Sequence, residues 1–504
     1  MKKLLLIAFI NSCILISTGF AQTSSLNVVT KISEDIHYKF ESQGRIFLFI
    51  SKGMREPRFN TWPNKTNMIF ATNLEHWQGN EFVFNSSVET VRSVDVSMEN
   101  LPNGEYEIQV LWDQNNWESG INATGNLYSE VISINLKNDT TLELPLTNIV
   151  APHKFTETKY LKEVDFISPV LSEWWGKEVH LKAAVLLPRT WNEQSGKKYP
   201  VRYNIAGYGG RYTRAARMER NIGWWLSDDA PEILCVYLDG EGPFGDCYQL
   251  DSENSGPYGT ALVEELIPYI EKKFRGMGTP ESRFVEGCST GGWVSLALQL
   301  FYPDFFGRCF SYSPDHVDFE NCQLINIYKD DNAFYNEFDY LRPIVRDVTG
   351  EPVVSQKDFI QFENVLGRSN TYVTSGGQFS AFTALFSPKG ADGLPIPLFD
   401  PVTGKIDREV AEYWRRHDLK DYVKTEWETL GPKIQGKIWV WGADMDNFYL
   451  NPALRAFNEM LQQMDNPKSD AVIEFTPMAR HCQEYNELKV LRQIADKLKK
   501  QKSN

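Results

Sequence analysis

The stretch Arg283-Phe-Val-Glu-Gly-Cys-Ser-Thr-Gly-Gly-Trp293 holds the residue best placed for covalent chemistry. Gly287-Cys288-Ser289-Thr290-Gly291 fits G-x-S-x-G, the pattern of a nucleophile elbow. Such an elbow turns from strand to helix so sharply that the serine hydroxyl points away from the sheet. Glycines on either side let helix and strand approach without Cβ clashes. The helix that follows aims its amide end at the site, where a developing oxyanion is held. An apolar helical run, Trp293-Val-Ser-Leu-Ala-Leu-Gln-Leu-Phe301, follows directly, which separates this pattern from a chance Gly/Ser turn.

A serine hydroxyl is a weak nucleophile at neutral pH and needs a base, which in turn needs an orienting carboxylate. On an α/β sheet with this elbow the chain order is Ser, then Asp or Glu, then His. His481 lies just past the last expected strand, Ala471 to Phe475, where the base belongs. The acid should follow the penultimate strand, Lys437-Ile-Trp-Val-Trp441. Asp444 and Asp446 both qualify there; the spacing favours Asp446 and Asp444 stays open. His316 is a rival base on the wrong strand, and His37, His76, His153, His180 and His417 lack supporting context. Ala206-Gly-Tyr-Gly-Gly210 follows a strand one unit before the elbow and resembles the oxyanion loop of α/β-hydrolases. The two oxyanion donors expected are the backbone N–H groups of Tyr208 and Thr290.

Cys288 precedes Ser289 and Cys482 follows His481. If serine and histidine meet, these neighbours are brought together and can form a disulfide. That bond would close a loop of about 194 residues, roughly 4–5 kcal/mol in the chain-entropy treatment. Cys235, Cys247, Cys309 and Cys322 allow three further full pairings, and spacing does not choose among them.

The elements that must position these groups can be read along the chain. Met1 to Ala21 reads as a signal peptide, with Lys2 and Lys3, an apolar run to Ile16, and Gly19-Phe-Ala21 as a cleavage site. The run is too short to span a bilayer, and no other apolar stretch reaches that length. An exported chain in an oxidising compartment is therefore expected, periplasmic or secreted. Residues 25–150 carry about seven short strands, punctuated by turns such as Pro102-Asn-Gly104, which predicts an immunoglobulin-like β sandwich. Residues 151–163 read as a linker. From 164 to 504 strands and helices alternate, which predicts an α/β-hydrolase fold. That rhythm breaks between about 317 and 425, where Tyr335 to Val345 and Glu409 to Leu430 read as helical; a helical cap insertion is expected there.

At 504 residues the chain is too long for one core. Its net charge of −14, without a Lys/Arg cluster, excludes nucleic acid as a partner. Its 14 Trp, 22 Tyr and 30 Phe suit aryl or carbohydrate contacts as well as a filled core.

Cys288-Ser289, Asp446 and His481-Cys482 together resemble the CS-D-HC arrangement of the tannase and feruloyl esterase family. Gly287-Cys-Ser-Thr-Gly-Gly292 and Tyr302-Pro-Asp-Phe-Phe306 are similar to that family's elbow. The layout from about 165 to 485, with Glu264-Glu-Leu-Ile-Pro-Tyr-Ile270, resembles the esterase-D-like putative esterase family. Trp293 after the elbow and Arg480 before His481 depart from the family pattern. The resemblance implies a serine carboxylester hydrolase without metal or organic cofactor, acting on feruloyl or acetyl esters of plant polysaccharide. A siderophore esterase or peptidase with the same triad is a second reading. A third is a glycan-binding protein on an inactive hydrolase scaffold.

Overall fold

The computed structural model describes residues 22–64 and 66–503, so the signal peptide expected at 1–21 lies outside the described residues. Among the described residues, no helix is long and apolar enough to cross a membrane.

The β-rich N-terminal region starts at Thr23 and holds a seven-stranded and a three-stranded sheet. In the larger sheet Gly44–Ser51 lies between Asn67–Leu74 and Gly104–Asp113, antiparallel to both. In the smaller one Leu26–Thr30 lies between Phe82–Phe84 and Thr140–Glu143, parallel to the latter. Ile46, Leu48 and Ile50 join Val28, Ile108 and Trp112 in the core of this region. The intervening Phe47 and Phe49 are equally buried, on the other face, against Phe362, Val365 and Leu366. A strand without polar alternation is a strand covered on both sides. The run Ile46-Phe-Leu-Phe-Ile50 thus packs on its own sheet's core on one face and on residues 362–366 on the other.

The second sheet has eight strands: β1 (Leu161–Ile167), β2 (His180–Leu186), β3 (Val201–Ile205), β4 (Leu234–Leu238), β5 (Arg283–Ser289), β6 (Arg308–Pro314), β7 (Ile438–Ala443) and β8 (Val472–Thr476). Their order is β1-β2-β4-β3-β5-β6-β7-β8. β2 runs antiparallel to β1 and β4, and all later pairings are parallel. Parallel strands need crossover helices on both faces, so β3 and β4 are buried along their whole length and β5 up to Ser289, including the charged Arg202 and Glu286. Of the residues expected as linker, 151–163, the last three belong to β1. Leu161 and Val164 are both fully buried, and the chain enters β1 at Leu161.

Between β6 and β7 the chain leaves the sheet. Helices α2 (Gln356–Leu366), α3 (Gln378–Phe386) and α4 (Arg408–Trp414) lie here, while α5 (Leu419–Ile434) packs back on α1 (Thr290–Phe301) through Phe301 and Tyr422. Residues 419–425, expected within the insertion, belong to α5, whose Leu419, Val423, Trp427, Leu430 and Ile434 join the core that contains β3, β4 and β7 residues. The helix expected over Tyr335 to Val345 does not form. Asn336 accepts hydrogen bonds from the amides of Phe338 and Tyr340, which competes with helical bonding. Pro343 then opens a strand, Pro343–Arg346, paired with Pro352–Ser355. Glu409 to Leu430 is two helices broken at 415–417.

α2 docks on the outer face of the N-terminal sheet. Arg45, fully buried, donates to the Val365 carbonyl at 3.1 and 3.0 Å and to Asn73 and Asn370 at 2.7 and 2.8 Å. Arg368 holds the buried Asp113 carboxylate at 3.0 Å. Arg45→Ala strands these buried acceptors and is expected to lower stability by about 2–3 kcal/mol. A chemical-denaturation midpoint unchanged in that variant would count against this docking.

Candidate active site

Ser289 ends β5 and caps α1 with φ 62° and ψ −128°, a backbone conformation that L residues rarely adopt. The strain is imposed by close backbone approach. A Cβ on Gly287 would lie 2.4 Å from the Ile205 carbonyl, one on Gly291 would lie 2.2 Å from the same oxygen, and one on Gly292 would lie 2.3 Å from the Tyr312 carbonyl. The elbow is thus wedged between the ends of β3 and β6.

His481 follows β8 and Asp446 follows β7, at the same edge of the sheet. His481 Nδ1 lies 2.7 Å from Asp446 Oδ2, and Asp446 Oδ1 accepts from the Phe448 amide at 2.9 Å. Asn447 Oδ1 accepts from the His481 amide at 3.1 Å. Arg346 donates to the Asp446 carbonyl at 2.9 Å, tying the strand Pro343–Arg346 to the loop after β7. His481 Nε2 is buried without a hydrogen bond, and both His481 and Ser289 line one cavity. Asp444 points elsewhere, pairing with Arg455. His316 packs among Phe319, Phe382 and Phe386, and burial pushes its pKa down to about 3. It is a neutral core residue and meets neither Ser289 nor an acid.

Burial alone would depress the His481 pKa. The charge and hydrogen bond of Asp446, with a further contribution from Asp315, raise it above its ordinary value instead. Asp315 is a buried carboxylate just past β6 that the sequence did not flag. It accepts from Tyr248 at 2.8 Å and from the Thr290 hydroxyl at 3.0 Å, and burial pushes its own pKa up to about 6.

The loop after β3 passes the elbow closely: a Cβ on Gly207 would meet Ser289 Cβ at 3.6 Å. Tyr208 and Gly209 line the cavity, and Gly209 turns with φ 72°. Thr290 opens α1, so its amide belongs to the free N–H groups of a helix start. Cys288 and Cys482 form a disulfide with Cα atoms 6.0 Å apart, while Cys235, Cys247, Cys309 and Cys322 are buried free thiols.

The cavity measures about 760 Å³. Phe359 of α2, Phe379 and Phe382 of α3, and Phe448 form an aromatic side, and Arg211, Arg214 and Arg217 stand among polar residues elsewhere on the wall. Trp62 also lines it, from the N-terminal region in which the sequence showed no site residue.

Residues 177–345 match the model of the family described as "Putative esterase". No curated protein matches the chain. Among solved structures, a ferulic acid esterase shares 16% identity at a TM-score of 0.41, covering 67% of this chain and 96% of its own. An S-formylglutathione hydrolase from Agrobacterium tumefaciens shares 14% at 0.36, covering 68% and 95%. A ferulic acid esterase from Anaeromyces mucronatus shares 14% at 0.30, covering 65% and 87%.

Because two carboxylates raise the His481 pKa, removing either should lower it. Histidine-ring NMR titration is expected to find His481 titrating above the ordinary value of about 6.5. Its midpoint should fall in Asp315→Asn and fall further in Asp446→Asn. An unmoved midpoint in Asp446→Asn would contradict the electrostatic account.

Proposed function

We propose that this chain, a serine esterase whose residues 177–345 match the family described as "Putative esterase", is an exported carboxylester hydrolase that removes feruloyl or acetyl groups from plant polysaccharide. In this reading Ser289, His481 and Asp446 are the triad, and the Tyr208 and Thr290 amides are the oxyanion donors. The observation that carries the triad is the orientation of His481. One ring nitrogen is held by Asp446 at 2.7 Å, and the other, without a partner, belongs to the same cavity wall as Ser289.

The chemistry follows from those positions. Nε2 takes the hydroxyl proton as Ser289 Oγ bonds to the ester carbon, and the carbonyl oxygen becomes an oxyanion. Two backbone amides that need no reorganisation stabilise that charge. Collapse breaks the bond to the alcohol, which leaves with the proton from His481. Water repeats the sequence on the acyl-enzyme, releasing the acid. Asp446 keeps the tautomer with Nε2 free and stabilises the imidazolium.

The remaining parts of the reading are organisational. Residues 25–150 form an immunoglobulin-like accessory domain, and the catalytic domain begins at the end of the linker. The insertion acts as a cap, since α2 and α3 supply cavity residues. The disulfide ties the residue beside the nucleophile to the residue beside the base, and fits the oxidising compartment that the N-terminal sequence implies.

A fluorophosphonate probe should modify Ser289, identified by mass spectrometry of the labelled peptide, and Ser289→Ala should remove both labelling and ester turnover. Asp446→Asn should lower kcat by about 10³–10⁴-fold, as expected for a lost orienting carboxylate, whereas Asp444→Asn should stay within about twofold. Labelling at another serine, or full turnover by Ser289→Ala, would refute the assignment. Thiol labelling of denatured, unreduced protein should spare Cys288 and Cys482 and modify the four others.

A further inference from the structure

We infer that the N-terminal β-rich region is part of the substrate site, and that Trp62 is a specificity-determining residue that binds an aromatic acyl group. The inference rests on the esterase reading above and adds the residue that selects among esters.

Trp62 sits on a loop between two strands of the N-terminal region, Gly44–Ser51 and Asn67–Leu74. That loop is braced from within. Asn64 donates to the Trp62 carbonyl at 2.8 Å and to Asn60 at 3.0 Å, and its own side-chain oxygen accepts from the Thr66 amide at 3.0 Å. At its base Arg58 lies over the rings of Phe59 and Tyr128 and donates to Asn122. The indole is thus delivered by a held backbone.

Its ring meets two others edge to face: Phe359 of α2 at 5.5 Å and Phe448 at 6.1 Å. Phe448 lies edge to face on His481 at 4.9 Å. A continuous aromatic wall therefore runs from the catalytic imidazole to the N-terminal region. Trp62 is still 48% exposed, because part of the ring faces the cavity. It also borders a second cavity of about 350 Å³, which extends between the N-terminal region and the insertion past Phe59, Glu118 and Asn122.

A single exposed aromatic is ordinary, but Trp62 is continuous with Phe359 and Phe448 on one cavity wall, and contiguous apolar patches mark ligand-binding grooves. The rings around it, Phe359, Phe379, Phe382 and Phe448, offer apolar area and edge-to-face partners to a flat ring. An acetyl group is too small to reach across such a wall; a hydroxycinnamoyl or other aryl group is the matching shape. The docking of α2 on the N-terminal sheet holds Phe359 and Trp62 in one register.

The test compares 4-nitrophenyl ferulate with 4-nitrophenyl acetate, which share a leaving group and differ only in the acyl part. In Trp62→Ala the ratio of kcat/KM for ferulate over acetate should fall about tenfold, mainly through KM for ferulate. Trp62→Phe should restore most of the ratio. Tyr38→Ala, at an exposed aromatic of the same region outside the cavity, should leave it unchanged. A ratio unmoved in Trp62→Ala, or equal losses on both esters, would overturn the inference. A wild type that hydrolyses acetate but not ferulate would overturn it while leaving the esterase reading intact. A wild type active on neither ester would overturn both.

Discussion

The site depends on the contact of three backbones at one point. The carbonyl of Ile205 at the end of β3 presses on Gly287 in β5 and on Gly291 in α1, leaving no room for a side chain at either position. Chain that must turn from strand to helix in so little space can do so only with Ser289 in a rarely occupied conformation. Such strain persists only where the surroundings over-determine it, and here they do. The parallel pairing of β3, β5 and β6 closes the wedge from both sides. The consequence is positional: Ser289 lines the cavity at the start of a helix whose first amides have no intrahelical partner.

What surrounds the elbow is arranged to limit motion of its partners. The acid loop is held twice, by Asn447 on the His481 amide and by Arg346 on the Asp446 carbonyl. The disulfide between Cys288 and Cys482 adds a covalent tie between the two distant segments. Asp315 supplies a second negative charge near the imidazole, buried and hydrogen-bonded to Tyr248 and Thr290. Catalysis of the kind described asks for such pre-organisation, because groups that need not move at the moment of reaction stabilise charge most effectively.

The N-terminal region is coupled to this site through α2. One face of that helix meets Phe47, Phe49 and Leu111, and Phe359 of the same helix meets Trp62 and the cavity. Arg45 and the Arg368–Asp113 pair make the junction directional as well as apolar. The two sheets therefore do not share a core, yet they share the wall of a cavity.

Ser289, His481, Asp446 and the Gly-rich loop could be picked out of the sequence as candidates because each is local: a motif, or a polar residue one step past an apolar strand. The pairing of Cys288 with Cys482 was expected from their adjacency to Ser289 and His481, and the disulfide forms. Spacing favoured Asp446 but left Asp444, two residues away, open, since only the turn after β7 decides which carboxylate faces the imidazole and which meets Arg455. Tyr335 to Val345 reads as helix in the sequence, because periodic aromatics look helical until Asn336 diverts the amides. Asp315, Arg346 and Trp62 carried no signal at all. Their positions follow from which surfaces pack together across hundreds of residues, and no local pattern along the chain encodes that packing.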